Sequence, residues 1–229
     1  MSSRYALYFA PAADHPLWAA GCDWLGRDPA TGAVTNDAAH RRDPRRYGFH
    51  ATLKPPFALR DDGAKSPLLA ALSHFADEHA PFDMPPLEVA TLGGFVALRP
   101  VDAQATVPGQ PLRGLADECV RLFDDFRRPP SAVEAARRIA PGLDARQREY
   151  AARWGYPHVF EHWRFHMTLS DSLPADAGGD ALRATLCDDA TRHFAAALAV
   201  PLRCEGLALF VEDAPGAAFR LARRFDFAR

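Results

Sequence analysis

The five-residue phrase Phe-His-x-Thr-Leu occurs twice in this chain of 229 residues. It spans Phe49 to Leu53 in YGFHATLKPPF and Phe165 to Leu169 in RFHMTLSDS. A strand turns successive side chains to opposite faces. In the first copy Phe49, Ala51 and Leu53 share one face, opposite Gly48, His50, Thr52 and Lys54. In the second, Phe165, Met167 and Leu169 lie opposite Arg164, His166, Thr168 and Ser170. Each copy predicts a strand with an apolar face for a core and a polar face carrying His, Thr and a cation. A fold built on both must bury two such apolar faces, and it can turn the two polar faces toward one cleft.

The surroundings of the two copies match. Tyr47 to Lys54 reads as a strand stopped by Pro55 and Pro56. A helix follows, with Ser66 as N-cap and Pro67 at the first helical position, and Leu68, Leu69, Leu72, Phe75 and Ala76 on its apolar stripe. Two strands then meet at Gly93-Gly94, a hairpin signal. The second strand runs through Leu169, followed by a helix to about Leu198 and two strands around a turn at Asp213 to Gly216. The order strand, helix, hairpin is thus written twice, too far apart for a solenoid or propeller unit. The remaining segments are a first strand in RYALYFAP, a helix closed by Gly26, a charged loop over residues 27–46, an amphipathic helix from Pro111, and a helix opened by the capping-box pair Asp144 and Gln147 and closed by Gly155. The expected fold class is α+β. Two pseudo-twofold-related lobes, each a mainly antiparallel sheet with flanking helices, surround a central cleft in a single compact domain over 1–229. Lobe one covers about 1–105, connecting helices about 110–156, and lobe two about 157–229.

A formal net charge of -2 argues against binding nucleic acid by bulk electrostatics. The four scattered cysteines form no Cys-x-x-Cys pair, and no apolar run is long enough to span a membrane. With no secretory signal at the N-terminus, a cytoplasmic protein with reduced thiols is expected. The sequence leaves its oligomeric state open.

The polar faces suit a phosphate ester. Of two imidazoles titrating near neutrality, one can wait neutral as a base and the other protonated as an acid. The Thr52 and Thr168 hydroxyls can donate to non-bridging phosphoryl oxygens. Lys54 and Arg164, on the same faces by alternation, can neutralise charge on the reacting group or on a second phosphate. No metal and no cofactor is required.

The paired phrases HATL and HMTL resemble those of the two-histidine (2H) phosphoesterase superfamily. That resemblance implies two similar α+β lobes, each bringing one motif to a central groove, and metal-free hydrolysis of cyclic phosphodiesters. By motif position His50 and His166 become the catalytic pair and Thr52 and Thr168 the phosphate-holding hydroxyls; Lys54 and Arg164 are additions from alternation alone. The longer context, with FEHWRFHMTLSDSL, resembles a bacterial branch associated with phosphonate utilisation. It implies a small phosphorylated sugar or nucleotide as substrate, such as 5-phosphoribosyl 1,2-cyclic phosphate. Two alternatives keep the same cleft: a phosphodiesterase opening RNA 2′,3′-cyclic phosphates, and a module that binds a phosphorylated ligand without turnover.

Other patterns compete for attention. His158 to His162 reads HVFEH and matches the His-x-x-Glu-His zinc-peptidase spacing. That chemistry needs a helix, which Gly155, Pro157 and a strand from about Trp163 oppose. Arg41, Arg42, Arg45 and Arg46 before the first motif read either as a solvated turn or as a clamp for a second phosphate or RNA. FRRPPSAVEAARR reads as a basic surface connection.

Overall fold

The computed structural model describes residues 3–36, 39–130 and 142–228. The strands are β1 (Arg4–Phe9), β2 (Ala51–Ala58), β3 (Phe82–Asp83), β4 (Leu87–Leu92), β5 (Phe95–Pro100), β6 (Met167–Thr168), β7 (Arg203–Cys204), β8 (Gly206–Glu212) and β9 (Arg220–Asp226). Seven of them form one sheet in the order β4-β5-β6-β2-β1-β8-β9, and β3 pairs with β7 apart from it. All their ladders are antiparallel. The helices are α1 (Pro16–Leu25), α2 (Arg42–Tyr47), α3 (Lys65–Asp77), α4 (Pro111–Leu122), α5 (Ala145–Trp154) and α6 (Ala177–Leu198). The class is α+β, as the segment order implies.

Both strand–helix–hairpin units are present: β2 with α3 and β4/β5, and β6 with α6 and β8/β9. They exchange partners. The hairpin that follows β2 pairs with β6, whereas the hairpin that follows β6 pairs with β1, which separates it from β2. The segments 1–105 and 157–229 therefore interleave within a continuous sheet, with the two motif strands side by side at its joint.

The core face of that joint is built from the apolar alternates of the motifs. Phe49, Ala51, Met167 and Leu169 have no solvent exposure. Helices α1 and α6 pack against each other, and α6 lies on β4 and β5. Phe49 stacks on Phe194 of α6, ring centroids 6.0 Å apart. Its ring also lies where a side chain at Gly21 would be: a Cβ there would come within 2.1 Å of it. Only a glycine in α1 lets Phe49 seat.

Helix ends follow their local chemistry. Gly26 and Gly155 close α1 and α5 in the left-handed conformation, and Asp144 with Gln147 forms the capping box of α5. Three local expectations need correction. Helix α3 starts at Lys65 after a short 3₁₀ turn, so Ser66 lies inside it and Ala64 takes the cap position. The stretch 27–46 is not loop throughout, because α2 forms at its end. The backbone N–H groups of Arg42 and Asp43 are capped from across the molecule by the Asp171 carboxylate, at 3.1 and 2.7 Å. Finally, β2 continues through Pro55 and Pro56 to Ala58. Its register against β1 shifts twice, from Tyr8↔Thr52 to Leu7↔Lys54 to Tyr5↔Phe57. Both prolines fall within the irregular stretch, where the ladder does not ask for their missing N–H.

Candidate active site

Pairing at the joint fixes the site. Ala51 stands opposite Met167 in an antiparallel register. One step to either side sets His50 opposite Thr168, and Thr52 opposite His166. Each histidine thus faces the threonine of the other motif, and the two histidines are diagonal neighbours on one face of the sheet. Diagonal neighbours in such a ladder are about 7–8 Å apart, their Cβ atoms somewhat closer, a gap that one phosphoryl group with its hydrogen bonds can fill. After burial, the electrostatic influence of His166 is a lesser cause that lowers the proton affinity of His50.

Both rings are held in the same way. His50 Nδ1 lies 2.8 Å from the Gly48 carbonyl and His166 Nδ1 lies 2.9 Å from the Arg164 carbonyl, each two residues back along the chain. A neutral imidazole bonded so carries its proton on Nδ1 and its lone pair on Nε2. The Thr52 hydroxyl is 3.4 Å from His50 Nε2. Gly48 supplies its carbonyl from a turn with φ of +82°, where a Cβ would also strike Pro29. A side chain is strained at such a φ and would collide here as well.

Tyr8 completes the first half-site, a role its sequence context did not reveal. Its ring stacks on His50 with centroids 3.7 Å apart and planes 23° from parallel. Tyr8 is buried, and Tyr47 and Phe210 crowd the same imidazole at 6.3 and 6.1 Å. Burial pushes His50 down to about 4, only partly opposed by its bond to Gly48. His166 is also lowered by burial, against the bond to Arg164. On its side stands Phe95, 5.7 Å away. The signal for Tyr8 was the alternation Arg4, Ala6, Tyr8 in the first strand, but the pairing of that strand with β2 was not readable locally.

Lys54 is not on this face. The register shift at Leu53 breaks the alternation and turns it beneath α4. There its ammonium donates to the Val120 carbonyl at 3.1 Å and to Asp124 at 3.0 Å, and 1% of the residue is exposed. Arg164 is exposed and no carboxylate engages it among the described residues. It lines a groove of about 490 Å³ beside the second motif, together with Arg99 and Trp163. The indole N–H of Trp163 donates to the Thr52 carbonyl at 2.8 Å, tying the groove wall to β2.

Of the four arginines before the first motif, Arg41 and Arg46 have structural partners. Arg41 lies over the Trp24 ring, 3.5 Å from its centroid, and donates to the Trp24 carbonyl. Arg46 and Arg4 both grip the fully buried Glu212, and Arg46 also binds the carbonyls of Gly216 and Ala217. In HVFEH, residues Phe160–His162 make a single 3₁₀ turn, and Glu161 accepts from Tyr150 and Arg146. No group of three potential metal ligands gathers among the described residues. Residues 131–141 of the second basic stretch lie outside the described residues. No helix among the described residues is long and apolar enough to cross a membrane.

The two His-x-Thr segments lie side by side on one antiparallel sheet, the arrangement that the resemblance to two-histidine phosphoesterases implies. The chain belongs to the DUF1045 family, described as a protein of unknown function, whose model matches residues 52–220. Among curated proteins it is 39% identical over 237 residues to ribose 1,5-bisphosphate phosphokinase PhnN of Janthinobacterium sp. (strain Marseille), covering 98% of this chain and 51% of that protein. It is 40% identical over 229 residues to the protein of the same name from Laribacter hongkongensis (strain HLHK9), covering 96% and 51%. The chain spans about half the length of these relatives. Similar solved structures include E. coli LigT complexed with 3′-AMP, 12% identical over the whole of both chains with a TM-score of 0.46. Another is Kluyveromyces marxianus Usb1, 10% identical over 96% of this chain and 98% of that one, with a TM-score of 0.40.

Proposed function

We propose that the chain is a metal-independent phosphodiesterase that opens a small sugar cyclic phosphate by attack of water at phosphorus. The observation that carries this reading is the crossed quartet His50, Thr168, Thr52, His166, set by the pairing of Ala51 with Met167. His50, held neutral by burial, takes a proton from water through Nε2. The new P–O bond forms from that water and the ring P–O bond breaks. His166 protonates the departing alkoxide from its own Nε2. Its proton affinity rises once an anionic phosphodiester is bound beside it. Thr52 and Thr168 donate to the non-bridging oxygens. General acid–base assistance contributes about 10²–10⁴-fold, and orientation on a rigid sheet with charge stabilisation supplies the rest.

The name of the curated relatives supports a ribosyl substrate. Opening 5-phosphoribosyl 1,2-cyclic phosphate with O2 as leaving group yields ribose 1,5-bisphosphate, the compound on which a kinase of that name acts. The kinase chemistry itself does not carry over to this chain, which has no adjacent Gly-Lys pair such as a nucleotide-binding phosphate loop requires.

Phosphorus NMR of the protein with this cyclic phosphate, in the presence of EDTA, tests the reading. The ring should open to ribose 1,5-bisphosphate at an unchanged rate with chelator, and His50→Gln or His166→Gln should lower kcat by about 10²–10⁴-fold. Undiminished turnover after replacing either histidine refutes the mechanism. Preference for an oligonucleotide ending in a 2′,3′-cyclic phosphate would move the substrate to RNA. Saturable binding without product would make the chain a ligand-binding module.

A further inference from the structure

The groove beside the second motif has no task in the chemistry at phosphorus. It begins at Arg164, two residues before His166, a backbone span of at most about 7 Å, and has Trp163 in its wall. Continuing the β5–β6 register of Ala97↔Thr168 and Leu98↔Met167 sets Arg99 opposite His166. Arg113 of α4 lines the far side; it is 4% exposed and fixed by Asp117 at 2.8 Å and the Thr106 carbonyl at 3.2 Å. The nearby carboxylates are occupied: Glu88 by Arg99, Asp117 by Arg113, and Glu161, which also lines the groove, by Arg146 and Tyr150. Of the groove's arginines, Arg164 has no carboxylate partner among the described residues.

We propose that this groove seats a second, non-reacting phosphoryl group of the substrate, gripped by Arg164, with Arg99 and Arg113, each already paired with a carboxylate, as positive walls. The proposal rests on the phosphoesterase reading and deepens it by assigning the subsite that would select sugar cyclic phosphates with another phosphate across the ring. A guanidinium offers paired N–H donors matched to phosphate oxygens, and one free of carboxylates yields them without breaking an ion pair. The opposite end of the site does not offer this. Arg4 and Arg46 already share the buried Glu212, and Arg46 is bound to the Gly216–Ala217 turn as well.

Calorimetric binding of the product pair separates this claim from turnover. Ribose 1,5-bisphosphate should bind wild-type protein about ten- to a hundredfold more tightly than ribose 1-phosphate, the range of a charge-assisted contact. Arg164→Ala should remove most of that preference and leave ribose 1-phosphate binding unchanged, and Arg46→Ala should keep it. The proposal is overturned by equal affinities in the wild type, by no binding of either ligand, by an equal loss for both ligands in Arg164→Ala, or by loss of the preference in Arg46→Ala instead. Failure to hydrolyse any cyclic phosphate would sink the catalytic reading while leaving this binding measurement intact.

Discussion

The depressed His50 imidazole makes a quantitative prediction about folding. Tyr8 covers one face of the ring, Tyr47 and Phe210 crowd it, and burial lowers its pKa from 6.5 to about 4. A depressed folded-state value means that the unfolded chain binds the proton more readily. The stability held by neutral His50 is therefore complete above pH 6.5, is lost as pH falls, and is gone below pH 4. At about 1.4 kcal/mol per pH unit the full contribution is about 3 kcal/mol, of which about 2 kcal/mol has been lost by pH 5. Urea unfolding of wild type and His50→Gln at pH 7.5 and 5.0 should show this acid loss in wild type and lack it in the variant. Nitrogen chemical shifts of the ring should place its titration near 4. A ring that titrates close to 6.5, or an equal acid loss in both proteins, would show that the Tyr8 stack does not exclude the charged form.

Because burial lowers both histidines, kcat/KM should peak on the acid side of neutrality. It should fall above the peak as free His166 loses its proton, and below about pH 4 as His50 gains one; an alkaline optimum would contradict the assignment of base and acid. Thr168→Val should lower kcat about ten- to a hundredfold through one lost hydrogen bond to charged oxygen, read by steady-state kinetics. Lys54→Met should leave kcat/KM unchanged. It should cost about 1–2 kcal/mol in thermal unfolding, since Asp124 keeps both its bonds from Arg127. Gly21→Ala forces Phe49 to move and should destabilise the fold by about 1–3 kcal/mol, with a fall in kcat because the next residue is His50.

The parts of this fold that could be read from the chain are those decided within a few residues. The motif alternation sorted Phe49 from His50 and Met167 from His166. Gly26, Gly155 and the Asp144–Gln147 pair marked helix ends where they fall. What escaped was decided by partners far along the chain. The register shifts against β1 reversed Lys54 and admitted two prolines into a strand. Asp171 created α2 by capping it from the segment after the second motif. Tyr8 became a neighbour of His50 only because β1 pairs with β2.

The exchange of hairpins between the two halves has a consequence for synthesis. A nascent chain that has emerged only as far as α5 holds β1, β2, β4 and β5 but lacks the strand that separates β2 from β5, and it leaves β1 without β8. Such an intermediate exposes open sheet edges, a hazard for association with other chains. The contacts that would close them are among the longest-range in the molecule and the slowest to form. Completion of the face that carries both histidines must therefore await the segment from β6 onward, and severing the chain between β5 and β6 would yield two pieces that each lack their neighbours.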